Sequence, residues 1–116
     1  MKFAFVLNDP PYGTERSYNA LRLAHALAKR EAAEVRVFLL GDAAACAKRG
    51  QTVPSGYYNL ENMARSITRR GGAVAACGTC MDARGIAQEE LVDGASRGTL
   101  DQLAEWTEWA DRVLVF

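Results

Sequence analysis

The sequence predicts an α/β domain built on a mostly parallel, five-stranded sheet. Two observations carry this. Apolar runs of strand length alternate with stretches of helical apolar spacing from end to end. The runs are also nearly continuous in their hydrophobicity, as suits strands buried on both faces. There are no repeats, low-complexity segments or linkers, so residues 1–116 read as a single domain.

"FAFVLN" (3–8) is the first strand, and "DPPYGT" then breaks the chain because proline cannot continue a ladder. Thr14 is placed to cap a helix over 15–30, in which Ala20, Leu21, Leu23, Ala24, Leu27 and Ala28 recur at helical spacing. "EVRVFLLG" is the second strand, with Val35, Val37 and Leu39 on one face and Phe38 and Leu40 on the other. Gly41-Asp42 turns it into a short alanine-rich helix that Gly50 closes. A loop over 51–59 ends at Asn59, a cap for the helix carrying Leu60, Met63, Ala64 and Ile67. Gly71-Gly72 ends that helix, and "AVAAC" (73–77) is a third strand of unusually small side chains. "TCMDARG" reads as a short helical turn and "EELVDG" (89–94) as the fourth strand. "TLDQ" fits a capping box for a last helix whose stripe is Leu100, Leu103, Ala104, Thr107 and Ala110. That stripe leaves Trp109 nearly opposite and Trp106 to the side, an expected partner surface. "DRVLVF" closes the chain as the fifth strand.

Composition narrows the function. The apolar fraction is 49% and the charged fraction 24%, which is ordinary for a globular chain. Fourteen basic side chains balance 14 acidic ones, so there is no global field for nucleic acid or an anionic membrane. Arg65, Arg69 and Arg70 make a basic edge on the third helix, read as a solvated face; direct nucleic-acid binding is not expected. The opening apolar run is too short for a signal peptide, and no segment approaches a membrane span. A cytoplasmic location with reduced thiols is expected, and the odd count of three cysteines speaks against a secreted disulfide framework. "GTERSYN" and "GDAAACAKRG" lack the glycine spacing of a phosphate loop. No cofactor is expected.

The chemistry concentrates in "ACGTCMDARG" (76–85). Cys77 ends the third strand at the C-terminal edge of the sheet, where ligands gather in open α/β folds. The turn behind it begins a helix whose free N–H groups favour a thiolate, and Arg84 adds charge if the turn folds back. The alternative is a small buried apolar thiol. Two thiols and the glycines Gly72, Gly78 and Gly85 exceed what packing requires. A structural zinc wants four ligands. One Cys-x-x-Cys pair is present, and Cys46 and His25 make no second pair, so no metal is assigned. A thioredoxin-type motif would face a later cis-proline, but Pro10, Pro11 and Pro54 all precede Cys77. A reversible Cys77–Cys80 bond remains open. Asp9 and Tyr12 follow the first strand at the same edge and either flank the thiols or shape a loop.

The opening strand with "PPYGTERSYNALRLAHAL", the "GDA" after the second strand, "CGTCMDARGI" and "GASRGTLDQLAEWTEWADRVLVF" together resemble the DsrE-like family of small sulfur-relay proteins. The resemblance spans the whole chain. It implies a three-layer α/β/α sandwich that assembles into homotrimers or homohexamers. It also implies a cysteine that receives sulfur as a persulfide from a donor protein and passes it to an acceptor protein. The family's sulfur-carrying cysteine lies seven residues before the arginine of Arg-Gly, the spacing of Cys77 from Arg84. Cys80 belongs to a subset with "CGTC"-like motifs. The resemblance thus implies Cys77 and Arg84, while Cys80 stands outside that minimal pattern; the candidate site is Cys77, Cys80 and Arg84, with Asp9, Tyr12, Gly78, Thr79 and Gly85 as its candidate lining.

Overall fold

The structure is a computed structural model describing residues 1–53 and 58–116. Part of the loop read at 51–59 lies outside the described residues. The elements are β1 (Lys2–Leu7), α1 (Arg16–Ala28), β2 (Glu34–Leu39), a 3-10 segment (Gly41–Ala47), α2 (Leu60–Arg69), β3 (Ala73–Cys77), α3 (Gly78–Asp82), a 3-10 turn (Gln88–Glu90), β4 (Ala95–Gly98), α4 (Leu100–Trp109) and β5 (Arg112–Val115). The five strands form one sheet in the order β4-β3-β2-β1-β5, every pairing parallel. The chain steps one way from β1 to β4 and then returns to lie beside β1. With right-handed crossovers, that reversal sends α4 to the face opposite α1 and α2. The result is a three-layer α/β/α sandwich. Among the described residues, no helix is long and apolar enough to cross a membrane.

Strand alternation divides the core in two. Phe5, Leu7, Val37, Leu39, Val74 and Ala76 face α1, α2 and the 3-10 segment. Phe38, Ala75 and Cys77 face α4, where Trp106 covers them. The small side chains of β3 from Val74 to Cys77 are all buried between the two layers. α2 starts where Asn59 Oδ1 accepts the Asn62 N–H (3.0 Å). It ends in a Schellman motif at Gly71 (φ +87°), with Gly72 N–H donating to Ile67 O (3.0 Å) and Gly71 N–H to Thr68 O (3.1 Å).

Three local expectations are corrected. Thr14 does not cap α1: its hydroxyl donates to Asp9 Oδ2 (3.0 Å), and Glu15 stands at the cap without a side-chain bond. "EELVDG" is not the fourth strand. Its Glu89 and Glu90 lie in the 3-10 turn, and the buried Leu91 makes only an isolated bridge to Lys48. The strand is Ala95–Gly98, an edge with exposed Ser96 and Arg97, so it carries no apolar signal. Finally, the buried anchor of α4 is Trp106, 7% exposed and edge-on to Phe38 with ring centroids 5.8 Å apart. Leu100, assigned to the buried stripe, is 72% exposed. Trp109 lies under the Arg36 guanidinium, 3.8 Å from its ring centroid. Trp106 therefore serves its own subunit's core and Trp109 is half-buried beneath Arg36, so the two are not jointly exposed.

Cys46 is a core thiol of the 3-10 segment, donating weakly to Asp9 O (3.7 Å). Burial pushes its thiol up from 9.0 to about 12.

Two outcomes follow. Trp106→Ala should cost about 3 kcal/mol in urea unfolding, and Leu100→Ala about 0.5 kcal/mol or less. Equal losses would contradict this account of α4. Because the folded Cys46 pKa lies above the unfolded one, its contribution is complete below pH 9.0 and is lost as pH rises towards about 12. Cys46→Ala should flatten the alkaline stability limb across that window, and an unchanged limb would show that the thiol ionises as readily folded as unfolded.

Candidate functional site

Cys77 is both the last residue of β3 and the N-cap of α3. Its sulfur takes the place of the oxygen usual at a cap, accepting the Cys80 N–H at 3.3 Å. Thr79 Oγ1 lies 3.4 Å from the same sulfur. The cap-to-third-residue spacing brings the Cα atoms of Cys77 and Cys80 to 5.2 Å, and the pair is joined as a disulfide. Cys77 is 9% exposed, and Cys80 is half-buried against both core clusters.

The Cys77 end of this turn opens on a cleft of about 420 Å³. Phe38 and Leu40 form one wall, Cys77, Gly78 and Thr79 the floor, and Arg97 to Leu100 the other wall. The cleft is reached from the α4 side, because Cys77 shares that face of the sheet with Phe38 and Ala75.

Two arginines grip α3 from opposite sides. Arg84 donates from Nε (3.0 Å) and Nη2 (2.8 Å) to Asp42 Oδ1, and from Nη1 to Cys80 O (3.0 Å). It ties the cysteine turn to the start of the 3-10 segment, and its hydrogen bonds end on oxygens. Gly85 (φ +63°) turns the chain after it, with Ile86 N–H donating to Met81 O (3.0 Å) and Gly85 N–H to Asp82 O (3.3 Å). Arg97 of β4 donates from Nη1 to Asp82 Oδ1 and from Nη2 to Asp82 Oδ2, both at 2.8 Å. This fork holds the Asp82 carboxyl below the usual carboxylate range and raises Arg97 in return.

Asp9 and Tyr12 lie elsewhere along the edge. β1 is two strands from β3 in the sheet order, and Asp9 follows β1. The Asp9 carboxylate takes the Thr14 hydroxyl and lies 3.7 Å from Arg16, while its carbonyl takes the Ser17 hydroxyl (2.7 Å). Tyr12 Oη accepts the Leu60 N–H (3.4 Å). These contacts fix the loop after β1, and none runs to Cys77 or Cys80. His25 is half-buried on α1; burial, then Lys29 and Arg70, lower its pKa. Among the described residues, no group of three or more His, Cys, Asp and Glu side chains is close enough to hold a metal ion.

Arg97 and Asp82 were missed by the sequence reading, as was the apolar wall of Phe38 and Leu40. Arg97 sits in a short polar edge strand, and no spacing rule links it to Asp82. The one available signal was Gly78, whose missing side chain marks a close approach.

Comparison with known proteins places the chain. The model of the DsrE/DsrF-like family matches residues 1–116. Protein YchN of Escherichia coli strain K12 is 44% identical over 116 residues, covering 99% of this chain and 98% of YchN. The crystal structure of the E. coli YchN protein matches with a TM-score of 0.93 over 100% of this chain and 99% of that one. The uncharacterized protein MJ0989 of Methanocaldococcus jannaschii is 37% identical over the full length of both chains. MTH1491 of Methanobacterium thermoautotrophicum shares the fold, with a TM-score of 0.73 at 15% identity over 97% of each chain. The match to the family model over every residue, joined to these full-length relatives, means that the chain belongs to the DsrE/DsrF-like family.

Proposed function

We propose that this protein is a sulfur carrier that holds a persulfide on Cys77 and uses Cys80 to release it. The observation that supports this best is the unequal setting of two adjacent thiols. Cys77 lines the cleft and carries the Cys80 N–H and the Thr79 hydroxyl on its sulfur, whereas Cys80, the less buried of the two, does not line the cleft. An N–H aimed at sulfur stabilises negative charge there and so favours the attacking form of the reduced site.

The Cys77 thiolate attacks the sulfane sulfur of a donor persulfide. A Cys77–S–SH bond forms, the donor's S–S bond breaks, and the donor leaves as a thiolate. For release, the Cys80 thiolate attacks Cys77 Sγ. The Cys77–Cys80 disulfide forms and hydrosulfide departs. An external dithiol then reduces the disulfide and is itself oxidised. Arg84 supports the cycle by holding the Cys80 carbonyl and Asp42 together, which keeps the turn helical. Donor and acceptor proteins would reach Cys77 through the cleft.

A second reading has one specific support. The Cys77–Cys80 pairing is also what a thiol–disulfide redox module would use. The reduced protein, incubated with a cysteine desulfurase and cysteine, separates the two by mass spectrometry. A gain of one sulfur on Cys77 is expected. Loss of two hydrogens with no sulfur ever gained would favour the redox module. Cys77→Ser should abolish loading, and Cys80→Ser should load and keep its persulfide longer. Loading lost in Cys80→Ser but kept in Cys77→Ser would reverse the roles. Normal loading in both would end the proposal.

We also propose that the chain works as a homotrimer or homohexamer. Val113 and Val115 on the edge strand β5 are exposed, the latter at 65%, as is Leu100 at the rim of the cleft. Burying such side chains against another copy is favourable. Light scattering at micromolar concentration should give at least three times the chain mass of 12.6 kDa. A monomeric mass would contradict it.

A further inference from the structure

Gly78 shows what the second arginine does. A Cβ built on Gly78 would lie 2.7 Å from Arg97 Nε and 2.8 Å from its Cζ, closer than atoms can pack. The Arg97 guanidinium therefore lies against the backbone that joins Cys77 to Thr79. Both of its Nη atoms are bonded to the two oxygens of Asp82, which biases it to stay there. Asp82 is itself two residues beyond Cys80, on the same short helix. The guanidinium thus bridges the two ends of the cysteine turn: its stem side rests on the residue after Cys77, and its fork grips the residue that follows Cys80 and Met81. The bridge reaches α3 from β4, which is bonded to β3 with Cys77 opposite Gly98.

We propose that the Asp82–Arg97 fork, seated on Gly78, is a clamp that keeps the Cys77–Cys80 turn closed and so sets how readily the pair forms its disulfide. Arg97 is a positioning residue acting through the turn. This rests on the reading of Cys77 and Cys80 as the working thiols, and it deepens that reading by assigning control of the release step. A turn held helical keeps the Cys80 sulfur beside Cys77, which favours attack on Cys77 Sγ and closure of the disulfide. With the clamp open, this five-residue helix is still held by Met81 in the core and by Arg84 beyond its C-terminal end, but its Cys77 end loses the restraint from Arg97.

The clamp can be told apart from a simple charge effect by sign. If Arg97 and Asp82 acted only through their fields, removing the cation would destabilise the thiolate form and lower the reduction potential. Removing the anion would do the opposite. A clamp predicts that either loss weakens disulfide closure, so both potentials rise.

The experiment equilibrates the folded full chain with glutathione redox buffers and quantifies the oxidised fraction by mass. In that exchange the Cys77–Cys80 bond breaks, two thiols form, and two glutathione thiols join as glutathione disulfide. Arg97→Gln and Asp82→Asn should each lower the equilibrium constant for closure about fivefold, a size set by an exposed ion pair. That is a rise of about 20 mV in potential. Gly78→Ala should give the same rise in the native background and none once Arg97 is already glutamine. Opposite shifts for Arg97→Gln and Asp82→Asn, or no shift in either, would overturn the clamp. An equal Gly78→Ala shift in both backgrounds would overturn its seating on Gly78. Both polar variants change exposed side chains, so retained helical signal checks folding directly. The potentials are read without any sulfur donor. A failure of sulfur loading with the expected shifts would therefore remove the carrier reading and leave the clamp standing.

Discussion

Cys77 must end a strand and start a helix with no residue between. That junction governs the rest of the site. A strand end aims the side chain at one face of the sheet, and a helix cap turns the next N–H groups back towards it. At Cys77 the two demands meet, and the sulfur accepts the Cys80 N–H while facing the cleft. The same junction fixes Cys80 three residues on, within bonding reach. A longer loop between β3 and α3 would satisfy the strand and the helix separately. It would not place one sulfur in both roles.

So short a helix needs help from outside, because five residues cannot hold a helical turn by backbone bonds alone. Arg84 reaches across to the 3-10 segment and Arg97 comes in from the edge strand, each ending on a carboxylate. Exposed ion pairs contribute little to global stability. Their value here is local, since each restrains the exposed side of a turn whose Gly78 and Met81 are buried. The turn is completed at Gly85, where a left-handed residue lets the last carbonyls be satisfied and the chain leave towards Leu91 and Val92.

What the sequence made legible follows from where burial leaves a signature. β1, β2 and β3 are buried on both faces, and their apolar runs announced them. Asn59, Thr99 and Gly71 marked helix ends through capping chemistry that needs only neighbours in sequence. β4 was misplaced because its stability comes from pairing with β3 and its side chains mostly face solvent. Leu91 and Val92, which are apolar, drew the assignment instead: they are buried by contact with Ala47 and Lys48 in another segment. Trp106 was misjudged for a related reason. A helix of nearly three turns offers several stripes, and Phe38 on a distant strand decides which one is covered. Cys77, Cys80 and Arg84 stood out because they are close in sequence. Asp82–Arg97 did not, since a pair fifteen residues apart has no period to reveal it.

The position of the cysteines in the sheet carries a last consequence. In open α/β sheets the usual crevice is at the point where the strand order reverses. Here that point lies between β1 and β5, and it is occupied by the loop that Asp9, Thr14 and Ser17 knit together, with the C-terminal Phe116 bonded to Val6 and Asn8. The cysteine pair sits two strands away, at the end of β3. The crevice there opens on the α4 face of the sheet, lined by Phe38, Leu40 and the segment from Arg97 to Leu100, and beside Cys77 on that face β3 carries the small Ala75. The site therefore depends on what β3 lacks. A larger residue at Ala75 would meet Gly98, whose own missing side chain would otherwise lie 3.2 Å from the Ala75 Cβ and 2.9 Å from Phe38. Small residues at Ala75 and Gly98, on two neighbouring strands, thus stand beside the room that Cys77 lines.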